Sequence, residues 1–118
     1  LDTMQDTLNL AMELTCEFAN FYSAMAYPGS KLYLKALQEK WDLPESYVAY
    51  SQHSYEAKPL PTKYLQASEV LGFRDAAFDT YYTNERYLDF IKDKFGPETH
   101  DDIVCMTQHK LKRKLLET

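Results

Sequence analysis

Glycine is too scarce in this 118-residue chain for a fold built from β-hairpins. The only glycines are Gly29, Gly72 and Gly96, and none of them follows Asn or Asp. Tight hairpin turns need left-handed backbone conformations, which Asn-Gly and Asp-Gly pairs supply most readily. The sequence therefore predicts an all-α fold of about five to six helices, packed antiparallel in a bundle or a short right-handed helical superhelix.

Apolar periodicity and helix-stop residues divide the chain into helical segments within one domain, 1–118. Ser30 and Thr62 are placed to act as N-caps, and Gly96-Pro97 to end a helix. The predicted helices cover about residues 3–26, 30–41, 45–55, 62–72 and 74–95, with a break near 83–84, and a sixth begins near residue 98. In the second of these, we expect Leu34 and Leu37 to face inward beside Trp41.

Charge and hydropathy argue against nucleic-acid binding and against a membrane-spanning helix. The net charge is −5, and residues 1–60 carry 8 acids against 4 bases. The basic residues near the C-terminus form one small cluster, which is less than a phosphate backbone requires, and we expect it to end the sixth helix. Nucleic acid is therefore not an expected partner. Apolar runs also stay well short of the roughly 20 residues that span a bilayer.

Cys16 and Cys105 are far apart in the sequence and form no CxxC motif, which is typical of a reducing compartment. Both have apolar neighbours, so we expect buried free thiols.

Asp101, Cys105 and His109 are spaced to share one helix face, but a zinc site needs a fourth ligand, and the alternative of a capping acid, a core cysteine and a surface histidine is favoured. We predict no metal and no cofactor. Without a glycine-rich phosphate loop or an activated nucleophile, we also predict no catalytic residues and no enzyme activity.

Tyrosine is in excess, with ten residues. A tyrosine buries a large ring and keeps a hydroxyl for water or a partner, so tyrosine-rich faces recur at interfaces, although a single tyrosine more often fills the core. As a set, the tyrosines favour docking. The candidate interface residues are Tyr47, Tyr50, Tyr55, Tyr81 and Tyr82, with the basic residues Arg86, Lys110, Lys112 and Arg113.

Residues 86–97 read Arg-Tyr-Leu-Asp-Phe-Ile-Lys-Asp-Lys-Phe-Gly-Pro. This segment resembles the most recognisable part of the subunit Va family of cytochrome c oxidase, called subunit VI in yeast. That family carries an Arg, a Leu, an acid, two aliphatic residues, Lys-Asp-Lys and Gly-Pro at this spacing. Upstream, residues 61–67 are similar to the opening of the preceding family helix.

The resemblance implies a divergent accessory subunit of a mitochondrial respiratory complex, without a cofactor of its own. Such a subunit would lie on the matrix side of the inner membrane as a peripheral component and stabilise the oxidase by contacts with its other subunits. It also implies that Leu88, Phe90 and Ile91 face inward, while the charged side chains at 86, 89, 92, 93 and 94 are exposed. The alternative reading of the residues is a free-standing helical adaptor that binds a partner peptide or helix.

Overall fold

The computed structural model describes residues 1–117 and shows an all-α protein without a strand among them. Its five α-helices confirm the predicted fold class and helix number. They are α1 (Asp2–Leu14), α2 (Lys31–Gln38), α3 (Ala67–Thr83), α4 (Glu85–Phe95) and α5 (Pro97–Thr107). Two short 3₁₀ helices, Tyr47–Tyr50 and Lys114–Leu116, lie outside them.

The contacts within the chain group into two compact units. Unit 1 contains Leu1–Phe21 and Asp75–Lys110, and unit 2 contains Tyr22–Arg74 and the chain from Leu111 onward. Helix α3 begins in unit 2 and ends in unit 1, so the division falls within a continuous helix. The single helical domain expected over residues 1–118 stays a prediction.

The ends of α4 follow the predicted signals in unit 1. Asn84 breaks the helical run, and its side chain accepts a hydrogen bond from the Arg86 N–H at 2.8 Å. Gly96 ends α4 with a φ of 96°, a conformation that glycine adopts without the steric cost of a Cβ. Pro97 then opens α5, which packs against α4. The expected break near 83–84 and the stop at Gly96-Pro97 are thus confirmed.

The core of unit 1 combines aromatic and aliphatic side chains. Its buried members are Tyr81, Tyr82, Tyr87, Ile91 and Ile103. The inward side of α4 agrees with the expectation, since Ile91 is fully buried and Leu88 and Phe90 pack partly buried against this cluster. The charged side chains at 86, 89, 92, 93 and 94 are exposed.

The predicted helix over residues 3–26 is wrong beyond Leu14. Thr15 takes a left-handed conformation, with φ 50°, and ends α1, and residues 15–27 are not helical. Distant tyrosine hydroxyls bind the carbonyl oxygens of Cys16, Glu17 and Ala19. Because these tertiary hydrogen bonds satisfy backbone groups without a helix, the apolar period in this stretch does not decide its conformation.

The central helices also differ from the expectation. In place of a helix over 45–55 the chain forms only the 3₁₀ turn Tyr47–Tyr50. The Thr62 hydroxyl accepts from the N–H groups of Tyr64 and Leu65, but this cap closes a turn, and α3 begins at Ala67. Gly72 lies inside α3 instead of ending a helix.

At the C-terminal side α5 ends at Thr107, so the basic cluster at 110–114 lies beyond the helix and not in its last turn. Ser30 does cap α2, accepting from the Tyr33 N–H at 3.1 Å, although this helix ends at Gln38 and not at Trp41.

Candidate partner interface

The candidate tyrosines of unit 2 lie at or near its surface. Tyr47 is 83% exposed on the first 3₁₀ helix, and Tyr55 is exposed as well. The hydroxyl of Tyr55 donates to Glu117 at 2.7 Å, and this hydrogen bond raises the pKa of Tyr55. Tyr50 is half-buried beside Tyr27, with ring centroids 6.0 Å apart, and burial raises its pKa. These three side chains are therefore accessible to different degrees.

Tyr81 and Tyr82 are core residues, which corrects their assignment to an interface. They are 1% and 3% exposed, respectively. The Tyr82 hydroxyl donates to the Ala19 carbonyl at 2.8 Å, and the Tyr81 hydroxyl donates to the Cys16 carbonyl. Burial raises the pKa of Tyr81 to about 12. Tyrosine satisfies its hydroxyl inside unit 1 through the irregular segment after α1, an arrangement that local sequence patterns do not reveal.

Among the candidate basic residues, Arg86 and Lys112 are exposed. Lys110 is also exposed, and its Nζ lies 2.7 Å from a carboxylate oxygen of Asp79. Arg113 is only 2% exposed and donates to the Ser54 carbonyl at 2.8 Å. The assignment of Arg113 to a partner surface is therefore corrected, because its guanidinium is buried and hydrogen-bonded inside unit 2.

Both cysteines are free and exposed, so the expectation of buried thiols is wrong. Cys16 lies in the irregular segment after α1, and Cys105 lies on α5. His109 falls beyond the end of α5, so it does not continue the helix face of Asp101 and Cys105. Residues 1–117 contain no cluster of three His, Cys, Asp or Glu side chains that is suited to a metal ion.

The most exposed apolar face of a helix in unit 2 belongs to α2, and it contradicts the expected inward orientation. Leu34 is 57% exposed and Leu37, one turn later, is 52% exposed. Trp41, just after the helix, is exposed too, with the Lys35 ammonium 5.8 Å from its ring centroid. We call Leu34, Leu37 and Trp41 the α2 patch. Small Ala36 is the fully buried residue of α2, so the large side chains lie on other sides of this helix.

The signal for the α2 patch was present in the sequence as apolar residues spaced three and four apart. That spacing identifies one apolar stripe on a helix but does not say whether the chain's own core covers it. Over residues 1–117, no helix has both the length and the apolar character to cross a bilayer.

Comparison with known proteins adds no relative. No protein-family model matches the chain. Neither the curated proteins nor the solved structures contain a significant match.

Proposed function

We propose that this chain is a non-catalytic helical subunit that docks on a larger protein assembly and stabilises it. The observation that carries the proposal is the α2 patch, in which three large apolar side chains are exposed around one short helix. Apolar side chains grouped on a surface are typical of protein interfaces, and tryptophan and tyrosine contribute strongly there. Tyr47, which follows in the same unit and is largely exposed, fits the same role.

We further propose that the assembly is a mitochondrial respiratory complex, with cytochrome c oxidase as the candidate and the matrix side of the inner membrane as the location. The support is the resemblance of residues 86–97 to the subunit Va family. That segment forms α4 and its stop at Gly96-Pro97. In this proposal the chain contributes contacts to neighbouring subunits and takes no part in electron transfer.

The oxidase assignment is tested on the endogenous protein after gentle detergent solubilisation. The protein is purified by an affinity tag, and the visible spectrum of the eluate is recorded. Haem absorbance that travels with the tagged chain supports the proposal. A preparation that contains the chain without haem, from membranes in which the oxidase itself remains intact, contradicts the oxidase assignment.

The docking role of the α2 patch is tested separately with a double substitution, Leu34→Ser with Leu37→Ser. The matched control is Leu10→Ser with Leu14→Ser, because these leucines are similarly exposed but lie on α1 in unit 1. We expect the α2 variant to lose its partners in the pull-down and the control to keep them. Equal loss in both variants, or in neither, contradicts docking through α2.

Expressed alone, the wild-type chain should self-associate through its uncovered apolar face, and the α2 variant should be monomeric in sedimentation velocity. A wild-type chain that is already a monomer, and that binds a peptide instead of an assembly, supports the alternative of a free-standing adaptor.

A further inference from the structure

The C-terminal segment 111–117, which we call the strap, lies on unit 2 through backbone and side-chain contacts. The Lys114 N–H donates to the Tyr55 carbonyl at 2.8 Å. One position earlier, the Arg113 guanidinium donates to the Ser54 carbonyl at 2.8 Å. Near the end of the strap, Glu117 accepts from the Tyr55 hydroxyl at 2.7 Å. The turn at 54–55 thus binds the strap at three points.

Between these polar contacts the strap makes an apolar one. Leu115 packs against the buried cluster of Met25, Ala57 and Leu71. Leu116 approaches α3, where its Cδ2 lies 3.7 Å from the place of a Cβ on Gly72. The recognised side chains of Arg113, Leu115 and Glu117 therefore alternate along the strap, each with its own environment in unit 2.

The buried arginine is what makes the strap resemble a bound ligand. An aliphatic side chain at position 113 would bury apolar surface without the cost of desolvating a guanidinium group. Arg113 is nevertheless 2% exposed and donates to a backbone carbonyl. This contact requires a long side chain with an N–H donor, so it distinguishes arginine from an aliphatic residue.

We propose that unit 2 contains a peptide-binding site that the strap occupies in cis. Its external ligand would be a segment of a partner protein with arginine, then leucine two residues later, then a carboxylate two residues after that. The main-chain hydrogen bond to the Tyr55 carbonyl would supply affinity, and the arginine and leucine environments would supply specificity. The proposal is independent of docking through α2, because it involves different side chains.

Because the strap occupies the proposed site within the same chain, it should compete with an external peptide for that site. A tethered segment has an effective concentration in the millimolar range, so it competes strongly with a ligand from solution. The apparent affinity for an external peptide equals the intrinsic affinity multiplied by the fraction of molecules in which the strap is released. Weakening the strap without altering the 54–55 turn should therefore strengthen binding of an external peptide.

The test uses a fluorescently labelled peptide with the sequence of residues 111–118, titrated into the full-length chain and followed by anisotropy. We compare the wild-type chain with Arg113→Met, which keeps the length of the side chain and removes its charge. The variant should bind the peptide at least about tenfold more tightly than the wild type, since its own strap competes less well. A peptide that carries the same Arg113→Met substitution should bind the variant chain more weakly than the native peptide does, because it lacks the guanidinium group.

A scrambled peptide of identical composition controls for attraction between a basic peptide and an acidic chain. Equal binding of the native and scrambled peptides, or equal affinity of the wild-type and variant chains for the native peptide, would overturn the proposal. If circular dichroism shows that Arg113→Met does not fold, Glu117→Gln provides the decision, because it weakens one exposed end of the strap. That variant should bind the native peptide more tightly than the wild type, and unchanged binding would overturn the proposal.

Discussion

The two units stabilise irregular backbone in different ways. In unit 1 the segment after α1 is held by aromatic side chains, and Tyr87 donates to the Glu17 carbonyl at 2.7 Å in the same manner as Tyr81 and Tyr82. In unit 2 a side-chain amide hydrogen-bonds the irregular backbone instead. Buried Gln52 donates to the Ser23 carbonyl at 2.9 Å and accepts from the Ser23 N–H at 3.0 Å.

The comparison separates two contributions that often occur together. A tyrosine adds a large buried ring to its hydrogen bond, whereas a glutamine adds little apolar area. The rings of Tyr81 and Tyr87 are 4.9 Å apart, and Tyr82 lies edge-on to Tyr87 at 5.3 Å. We therefore expect unit 1 to respond most to lost packing and unit 2 to lost hydrogen bonds.

The largest effect should come from opening a cavity in the core of unit 1. Ile91 is fully buried among the tyrosines, so Ile91→Ala should lower the free energy of unfolding by about 2–5 kcal/mol. Chemical denaturation measures it, with near-UV circular dichroism reporting the tyrosine cluster. The control Leu10→Ala, at an exposed position of α1, should change stability by less than about 0.5 kcal/mol.

The same variant also tests whether the two units unfold together. Trp41 is the single tryptophan and lies in unit 2, so its fluorescence reports that unit separately. Coincident transitions by both probes would confirm the predicted single domain. A shift in the tyrosine signal that leaves the Trp41 transition in place would contradict it.

Alkaline pH should destabilise unit 1 through its buried tyrosines. Burial raises the pKa of Tyr81 to about 12, above the ordinary value of 10.0, and it raises the pKa of Tyr87 as well. Folding therefore favours the neutral hydroxyl. The stability that comes from the raised pKa is fully present below pH 10 and is lost as pH rises through the folded pKa. For Tyr81 alone, this loss in the free energy of unfolding amounts to about 3 kcal/mol.

Denaturation midpoints measured from pH 8 upward, before and after Tyr81→Phe, isolate this effect. The variant loses stability at neutral pH because it lacks the hydroxyl contact to Cys16, but its decline above pH 10 should be shallower than that of the wild type. Parallel declines would show that Tyr81 is not the titrating group.

Local signals predicted several helix ends correctly, although the cap at Thr62 and the glycine at Gly72 did not bound a helix as expected, and segments fixed by distant contacts were missed. The N-cap at Ser30, the break at Asn84 and the stop at Gly96 need only neighbouring residues, and all three were found. The end of α1 depends on tyrosines more than sixty residues away, such as Tyr82 bonded to Ala19. No apolar period encodes that pairing.

The candidate interface shows the same limit. The amino-acid composition does not distinguish a tyrosine whose hydroxyl bonds a buried carbonyl, such as Tyr81, from one that remains at the surface, such as Tyr47. Arg113 resembled a surface cation in the sequence because its burial depends on the 54–55 turn of unit 2. The exposed charged side chains of α4, by contrast, agree with what the resemblance of residues 86–97 implied.

In unit 2 the most informative change is Gln52→Ala. It removes both hydrogen bonds to Ser23 and leaves two backbone groups unpaired in a buried position, at a cost of about 2 kcal/mol. Trp41 fluorescence during denaturation measures the loss. The matched control is Gln38→Ala at the exposed end of α2, which should have little effect. Equal losses in the two variants would contradict the amide's role in holding unit 2.

The smallest change should have the opposite sign. The Ser23 hydroxyl oxygen is buried and has no hydrogen-bond partner, although its backbone is paired with Gln52. Ser23→Ala removes this unsatisfied group and keeps both backbone bonds, so unit 2 should gain about 1 kcal/mol of stability. Ser46→Ala, at an exposed position before the first 3₁₀ helix and without a side-chain cap bond, is the control. A destabilised Ser23→Ala would show that the hydroxyl is satisfied in solution, and the contrast between paired backbone and unpaired side chain at this position would fail.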